Sequence, residues 1–376
     1  ITMHKSIIAL GIESSCDDTS IGIIEIGLKD TLFIAENIRS KKLGLVTESQ
    51  DKLHKDYGGV VPEIAARAHS ERIDVCFKKV LEQSKVELDC IDIICVTAGP
   101  GLIGGLLSGV NFAKGLAFST GKPLIGVNHL IGHALTPHMT DNLSYPYLIL
   151  LASGGHCQYL AVSEADKIER LGTTIDDAPG EVFDKVAKML GLPIFSGSEV
   201  EKYAEKGDRT RFSFPLPLVK KNDCDLSFSG LKSSVRRQVD RLVEKQSGLY
   251  IHDQRDICAS FQEAMKLIFE AKTKKALELF AKASSEKEMS FSLAGGVAAN
   301  KTIRDSLKDL CKELNVRFSA PPLDLCTDNG LMIAYAGAQI YLGGKKDTMG
   351  LSPRPRWPID IDNEISIGFG KRGRKV

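Results

Sequence analysis

No two of the nine cysteines form a Cys-x-x-Cys pair, and they build no dense framework. They stand at 16, 76, 90, 95, 157, 224, 258, 311 and 326, an odd count placed mostly in apolar runs. That argues against a disulfide scaffold and for reduced, mostly buried thiols in a cytosol-like or matrix-like compartment. Also missing is any stretch of about 18 uninterrupted apolar residues, so no membrane span is expected. The best stretch, 102–118, is broken by Asn111 and Lys114. Excess charge is absent too. The formal net charge is +1, so no global field draws the chain to nucleic acid, and any such contact must come from local basic patches. A fourth absence is chemical. "VNHLIGHALT" (127–136) sets two histidines four apart, but Leu130 stands where a His-Glu-x-x-His peptidase has its glutamate. The chain opens on Ile1 rather than methionine, which a cloning remnant or a trimmed targeting peptide would each explain.

What is present reads as a globular α/β protein. The 376 residues are 43% hydrophobic and 26% charged, within the globular range and too long for one ordinary core. Residues 6–13 and 20–26 read as paired strands around the polar turn SSCDDT, with a third strand at 31–38 and then a lysine-rich loop. Pro62 opens a long amphipathic helix to about Ser84. A buried strand at 91–97, the turn TAGPGLIGG, a helix and a strand at 123–127 follow, giving α/β alternation. The pattern then restarts: "YLILLASGGHCQYLAV" (147–162) is again strand, small polar turn, strand. Helices are expected near 180–190, 198–206, 229–246 and 253–283, a strand at 289–294, and a last helix at about 329–342. Two lobes, each opening with a hairpin whose turn points into a cleft, is the layout of actin, sugar kinases and heat-shock ATPases. The tail 353–376 ends basic.

Several motifs can carry chemistry, and each has a plainer reading. His129 and His133 share one face of a helix that Asn128 can cap. Two imidazoles at that spacing can chelate one ion, yet Leu130, Ile131 and Leu135 suit a core helix equally. A third ligand is needed. Asp328 in "CTDNG" is a candidate, although Thr327, Asp328 and Asn329 are ordinary helix-cap residues and spacing cannot connect 133 with 328. "LASGGHCQ" (151–158) lets backbone amides approach an anion, or is a tight hairpin with glycine at positive φ; His156 can pack or bind. "LAGGVAANKTIRD" (293–305) runs from a buried strand through Gly295 and Gly296 into a helix start that suits a phosphate or base edge, unless the glycines merely permit close packing. "DDAPGEVFDKVAKMLGL" (176–192) places Asp184 one turn past Gly180, facing a cleft or forming a solvated first turn. "DLSFSGLKSSVRRQVDR" (225–241) leads into a basic helix with Lys232, Arg236 and Arg237 that can meet a phosphate backbone or simply keep a soluble face. Poor aromatic interleaving disfavours stacked single-strand binding.

In chain order, "GIESSCDDTS", "YGGVVPEIAARAH", "TAGPGLIGGLLSG", "NHLIGH", "LASGGHCQ", "IDDAPGEVFDKVAKMLGL", "LSFSGLK", "LAGGVAANKTIRD" and "CTDNGLMIAYAG" resemble one family, the tRNA N6-adenosine threonylcarbamoyltransferases, once called glycoproteases. The likeness spans nearly the whole chain. It implies the actin-like two-lobed fold, with one lobe from 1–145 plus about 331–376 and the other from 146–330. It implies one divalent metal ion per subunit, zinc or iron before magnesium, on His129, His133 and Asp328. Leu151, Ala152, Ser153, Gly154, Gly155, Asp184, Gly197, Glu201, Gly295, Gly296 and Asn300 would surround an adenylate, with Asp184 and Glu201 on ribose hydroxyls. Ser196 and Ser198 flank Gly197 where members often show Gly-Gly-Pro, and Cys157 replaces a common threonine. "RPRWP" (354–358) is similar to the bacterial and organellar branch. With the lysine-rich loops and the missing start, it leads to the expectation of a processed mitochondrial matrix protein.

The implied donor is threonylcarbamoyl-AMP from a separate synthase, with AMP or ATP as nucleotide ligands. The implied acceptor is the exocyclic amine of the adenosine just 3′ of the anticodon in ANN-decoding tRNA, and the implied assembly is a homodimer. A metal can orient the donor and act as Lewis acid. Because AMP is a good leaving group, no activated water is required. The missing glutamate therefore fits transfer better than proteolysis. A metallopeptidase, a sugar-kinase-like ATPase and a non-catalytic nucleotide-binding scaffold are the rivals, since one fold hosts many chemistries.

Overall fold

The computed structural model describes residues 6–27, 39–54, 57, 59–283 and 288–360. The strand expected at 31–38 and the basic end of the tail, 361–376, lie outside the described residues. Strands β1 (Ser6–Glu13) and β2 (Asp18–Gly27) form the expected hairpin. The segment read as a lysine-rich loop is instead β3 (Arg39–Ser49), antiparallel to β2. Its lysines point to solvent from an edge strand, a placement that discourages edge-to-edge pairing and hides the strand from a search for apolar alternation.

A short helix α1 (Asp51–His54) precedes α2 (Pro62–Ser84), which begins at the proline as expected. Then come β4 (Ile93–Gly99), α3 (Ile103–Thr120), β5 (Leu124–Asn128) and α4 (His129–Asp141). The second half holds β6 (Tyr147–Ala152), β7 (Cys157–Glu164), β8 (Lys167–Thr173), α5 (Pro179–Met189), α6 (Gly197–Ala204), α7 (Ser229–Gln246) and α8 (Ile251–Ala283). It ends with β9 (Ser290–Ala294), α9 (Lys301–Glu313), β10 (Arg317–Ser319) and α10 (Gly330–Leu342). The short strands β8 and β10 were not expected, because one is half polar and the other spans three residues.

The two sheets have the same topology. One runs β3-β2-β1-β4-β5 and the other, read from its far edge, β8-β7-β6-β9-β10. Each is an antiparallel three-strand meander continued by two parallel strands. This is the restart seen in the sequence, and it is the actin-like α/β fold. Along β6 the alternation of side chains divides the work. Leu148 and Leu150 enter the core under α5, α7 and α8, while Ile149 and Leu151 enter a second core shared with α4, α10 and the first sheet. Helices α4 and α10 thus lie between the two sheets. Only glycine allows α10 its position: a Cβ on Gly22 would lie 2.5 Å from the Leu331 nitrogen, and one on Gly11 would lie 2.1 Å from the Gly330 carbonyl. All nine cysteines are free and seven are buried. Among the described residues no helix is long and apolar enough to cross a membrane.

Candidate active site

The side chain of Asn128 accepts from the Leu130 amide at 2.9 Å and so starts α4 one residue before His129. His129 and His133 then fall on one helical face, with ring centroids 4.8 Å apart and nearly perpendicular. The packing of α10 supplies the link that spacing could not. Asn329, not Asp328, caps α10 by accepting from Met332, which leaves the Asp328 carboxylate free to meet the histidines. Its Oδ1 lies 3.0 Å from His133 Nε2 and 3.5 Å from His129 Nε2. One ligand atom from each of the three residues lies within 4.8 Å of the others.

A fully buried carboxylate missed in the sequence stands behind this cluster. Glu13 ends β1, and its Oε2 is 3.0 Å from His129 Nδ1. Glu13 is itself fixed by the Thr97 hydroxyl at 2.6 Å and by the Ser15 amide at 2.6 Å. Burial disfavours a charged His129, but Asp328 and Glu13 outweigh it and push the imidazole up to about 9. Burial likewise raises the two acids, yet His129 wins and leaves both below their ordinary values. A buried carboxylate, Glu13, and a half-buried one, Asp328, around neutral-capable imidazoles create a demand for positive charge that a proton or a metal cation can meet. The donor set, two Nε2 atoms and one carboxylate oxygen, suits a borderline divalent ion, and Glu13 holds the tautomer that frees His129 Nε2. His133 Nδ1 is buried without a hydrogen-bond partner among the described residues. Cys16 lies in the turn that follows Glu13, and burial and then Asp17 and Asp328 push its thiol well up.

The glycines of "TAGPGLIGGLLSG" press α3 against that turn. A Cβ on Gly105 would sit 2.3 Å from the Ser14 carbonyl, and Leu102 donates to the Ser15 carbonyl at 2.7 Å. His69 from α2 braces the other side, with Nδ1 2.8 Å from the Thr19 hydroxyl and Nε2 3.1 Å from the Cys16 carbonyl.

The second sheet brings its own turn to the same place. The ring of His156 lies 6.4 Å from that of His129. The turn closes through Ser153, whose amide donates to the His156 carbonyl at 2.8 Å. Gly154 and Gly155 are exposed, have open space where a Cβ would be, and neither has positive φ. Their use is bare backbone rather than a left-handed turn. Leu151 and Ala152 bury their side chains in the cores, so only their backbone can meet a ligand.

The other expected binding segments are linked to this turn one after another. A Cβ on Gly180 would lie 2.9 Å from Gly154 Cα, which sets the start of α5 against it. Gly295 has φ 89° and touches the Ala152 carbonyl, where a Cβ would lie 2.4 Å away; Gly296 is open. Asp184 accepts from the Gly197 amide, and its carboxyl is pushed up to about 6 by burial, then lowered in part by that bond. The residue as a whole stays exposed, so solvent tempers the effect. Ser196 and Ser198, the departures flanking Gly197, bond to each other at 2.9 Å, and Ser196 caps α6. Glu201 accepts from the Lys301 amide at 2.7 Å at the start of α9. The Asn300 side chain is engaged within the protein, accepting from Ile303 and donating to Gln262 at 2.8 Å. Lys232 pairs with Asp177 and ties α7 to the loop before α5. Arg236 and Arg237 are exposed on α7.

Comparison with solved structures supports the fold. The chain aligns with HypF from T. kodakarensis at TM-score 0.56 and 15% identity, covering 92% of this chain and 49% of that one. A full-length HypF in a phosphate- and nucleotide-bound form gives 0.54 at 14% identity, covering 90% and 47%. This chain spans about half the length of those proteins. The family model described as tRNA N6-adenosine threonylcarbamoyltransferase matches residues 41–335. Over 374 residues and the full length of both chains, identity is 50% to the enzyme of that name from Ruegeria pomeroyi and 52% to that from Paracoccus denitrificans. The chain belongs to this family. It is a transferase of the threonylcarbamoyltransferase class that modifies tRNA, as the ordered motifs implied. The expectation of a mitochondrial matrix protein is overturned: these full-length relatives are bacterial, from alphaproteobacteria.

Proposed function

We propose that the chain transfers threonylcarbamoyl from threonylcarbamoyl-AMP to the N6 amine of the adenosine 3′-adjacent to the anticodon of ANN-decoding tRNAs. The observation that carries this reading is the meeting of the His129–His133–Asp328 cluster with the Ser153–His156 turn of the other sheet. His129, His133 and Asp328 hold one divalent ion, zinc or iron before magnesium. Such an ion supplies Lewis acidity toward the donor's carbamoyl or phosphate oxygen.

The chain's own groups do the rest. Amides of Gly154 and Gly155 approach the phosphate of the adenylate, because glycines without side chains let backbone come close. Asp184 and Glu201 take the ribose hydroxyls, while Gly295, Gly296 and Asn300 line the purine side through backbone. The acceptor nitrogen attacks the carbamoyl carbon and gives up one proton to solvent, the bond to the phosphate oxygen breaks, and AMP leaves. Water is a poor competitor because Leu130, fully buried in the core, stands where a peptidase carries its base.

A division into one lobe of 1–145 with about 331–376 and another of 146–330 is supported, over the described residues, by the packing of α10 on β1 and β2. A homodimer is supported by apolar side chains left exposed on α3, Ile103, Leu107 and Phe118. The test is nucleoside mass spectrometry of unmodified tRNA incubated with the chain and donor. Threonylcarbamoyladenosine forming only with the chain present is the expected result. No product, with donor shown to be present, would refute the reading.

A further inference from the structure

We propose that residues 351–360 form a clasp at the mouth of the active site, and that Arg354 and Arg356 on it bind phosphates of the tRNA backbone. The proposal rests on tRNA being the acceptor and assigns a surface for it.

The backbone of the clasp is pinned along its length. The segment leading into it is fixed where Asp347 donates its amide to the Leu124 carbonyl at 2.9 Å and its carboxylate accepts from the Gly126 amide at 2.8 Å. Leu351 is buried against Gly126, where a Cβ would meet it at 2.6 Å. Arg354 donates its amide to the Ala98 carbonyl at 2.6 Å, and Gly101 donates to the Pro355 carbonyl at 3.1 Å. The Trp357 carbonyl accepts from Asn128 at 3.0 Å. Beyond it, Ile359 enters the core between the sheets, and the Asp360 carboxylate lies 3.4 Å from Arg170 on β8 of the second sheet.

These anchors place the clasp beside the chemistry. Ala98–Gly101 and Asn128 are the carboxyl ends of β4 and β5, the end of an α/β sheet where ligands bind. Asn128 caps the helix that starts at His129, and Thr97, next to Ala98, holds the Glu13 that holds His129. A macromolecule that brings one base to His129 must lay its neighbouring backbone across this rim.

The clasp presents positive charge there that no carboxylate among the described residues pairs with. Arg354 and Arg356 are exposed, and neither guanidinium has an ion-pair partner among the described residues. Arg354 lies over the Trp357 ring at 4.7 Å, which limits its freedom before any ligand arrives. By contrast, Arg170 and Arg211 face carboxylates, and Lys232 of the basic helix is spent on Asp177. Guanidiniums fit phosphate oxygens through paired donors, and such contacts position a nucleic acid without reading its sequence.

The test uses the full chain and unmodified tRNA. Binding is followed across a salt series for wild type, for Arg354→Gln/Arg356→Gln, and for the charge-retaining Arg354→Lys/Arg356→Lys; AMP affinity is measured for each. The glutamine pair should flatten the plot of log affinity against log salt by about 2, roughly one for each phosphate no longer neutralised. AMP affinity should not move, and the lysine pair should keep most of the slope. An unchanged slope in the glutamine pair would overturn the proposal. So would a parallel fall in AMP affinity, which would give these cations to the nucleotide. Wild-type chain that modifies no tRNA by mass spectrometry would refute the functional reading beneath, and the clasp's role with it.

Discussion

His129 is held from both sides, with Glu13 at Nδ1 and Asp328 facing Nε2. His129 Nε2 would hold a divalent ion in place of its proton, with Glu13 keeping the ring oriented and basic. Glu13→Gln keeps the shape but loses the charge, and should weaken divalent metal affinity about 10- to 100-fold, with transfer falling alongside. A metal-competition titration checks this, and unchanged affinity would remove Glu13 from the site. Asp184 gives a second prediction, in pH. Its folded value is raised from 3.8 to about 6, so the folded protein favours the protonated form. The associated stability is present below about pH 4 and is lost as pH rises through about 6. Asp184→Asn should therefore melt higher than the parent above pH 6, with the gap closing near pH 4, while AMP binding weakens. A melting difference that ignores pH would contradict the assignment of the shift. The histidine pair was legible in the sequence because helical periodicity places i and i+4 together. Glu13 was not, because 116 residues separate it from its partner and only the β1–β4 pairing and the start of α4 bring them together.

At the level of elements, the site depends on close approach. The turn after β1 holds Glu13 through the Ser15 amide, and α3 rests on that turn through Gly105. Gly105→Ala would force helix and turn apart, and should cost about 1–3 kcal/mol. Because the displaced turn holds Glu13, metal affinity should fall as well. Calorimetric melting with metal titration on one sample tests both; loss of stability with intact metal binding would separate the turn from the site. Long apolar strands and the proline-started α2 were readable because their patterns are local. β3 escaped because its lysines broke the apolar pattern, and β8 and β10 because so few residues define them. The helix cap before α10 was ambiguous for a related reason: Thr327, Asp328 and Asn329 are all good caps, and only the geometry gives the cap to Asn329 and leaves Asp328 to the histidines.

Across the whole molecule, two sheets of equal topology enclose α4 and α10, and each half brings one part of the chemistry. In the proposed site the first contributes His129 and His133, and the second Asp328, the Gly154–Gly155 backbone and Asp184. The duplication was visible in the sequence as a repeated strand–turn–strand. The meeting of the halves was not, because it is made by packing of Ile149 and Leu151 against α4 and α10 rather than by any motif. We read this shared cleft as transferring threonylcarbamoyl with a metal on the cluster. Single-turnover transfer from purified threonylcarbamoyl-AMP to tRNA decides the matter, comparing metal-stripped chain, remetallated chain and His133→Ala. Stripping should abolish product and a divalent ion should restore it, while His133→Ala should show low metal content and little product. Full product from a chain with no measurable metal would refute the reading.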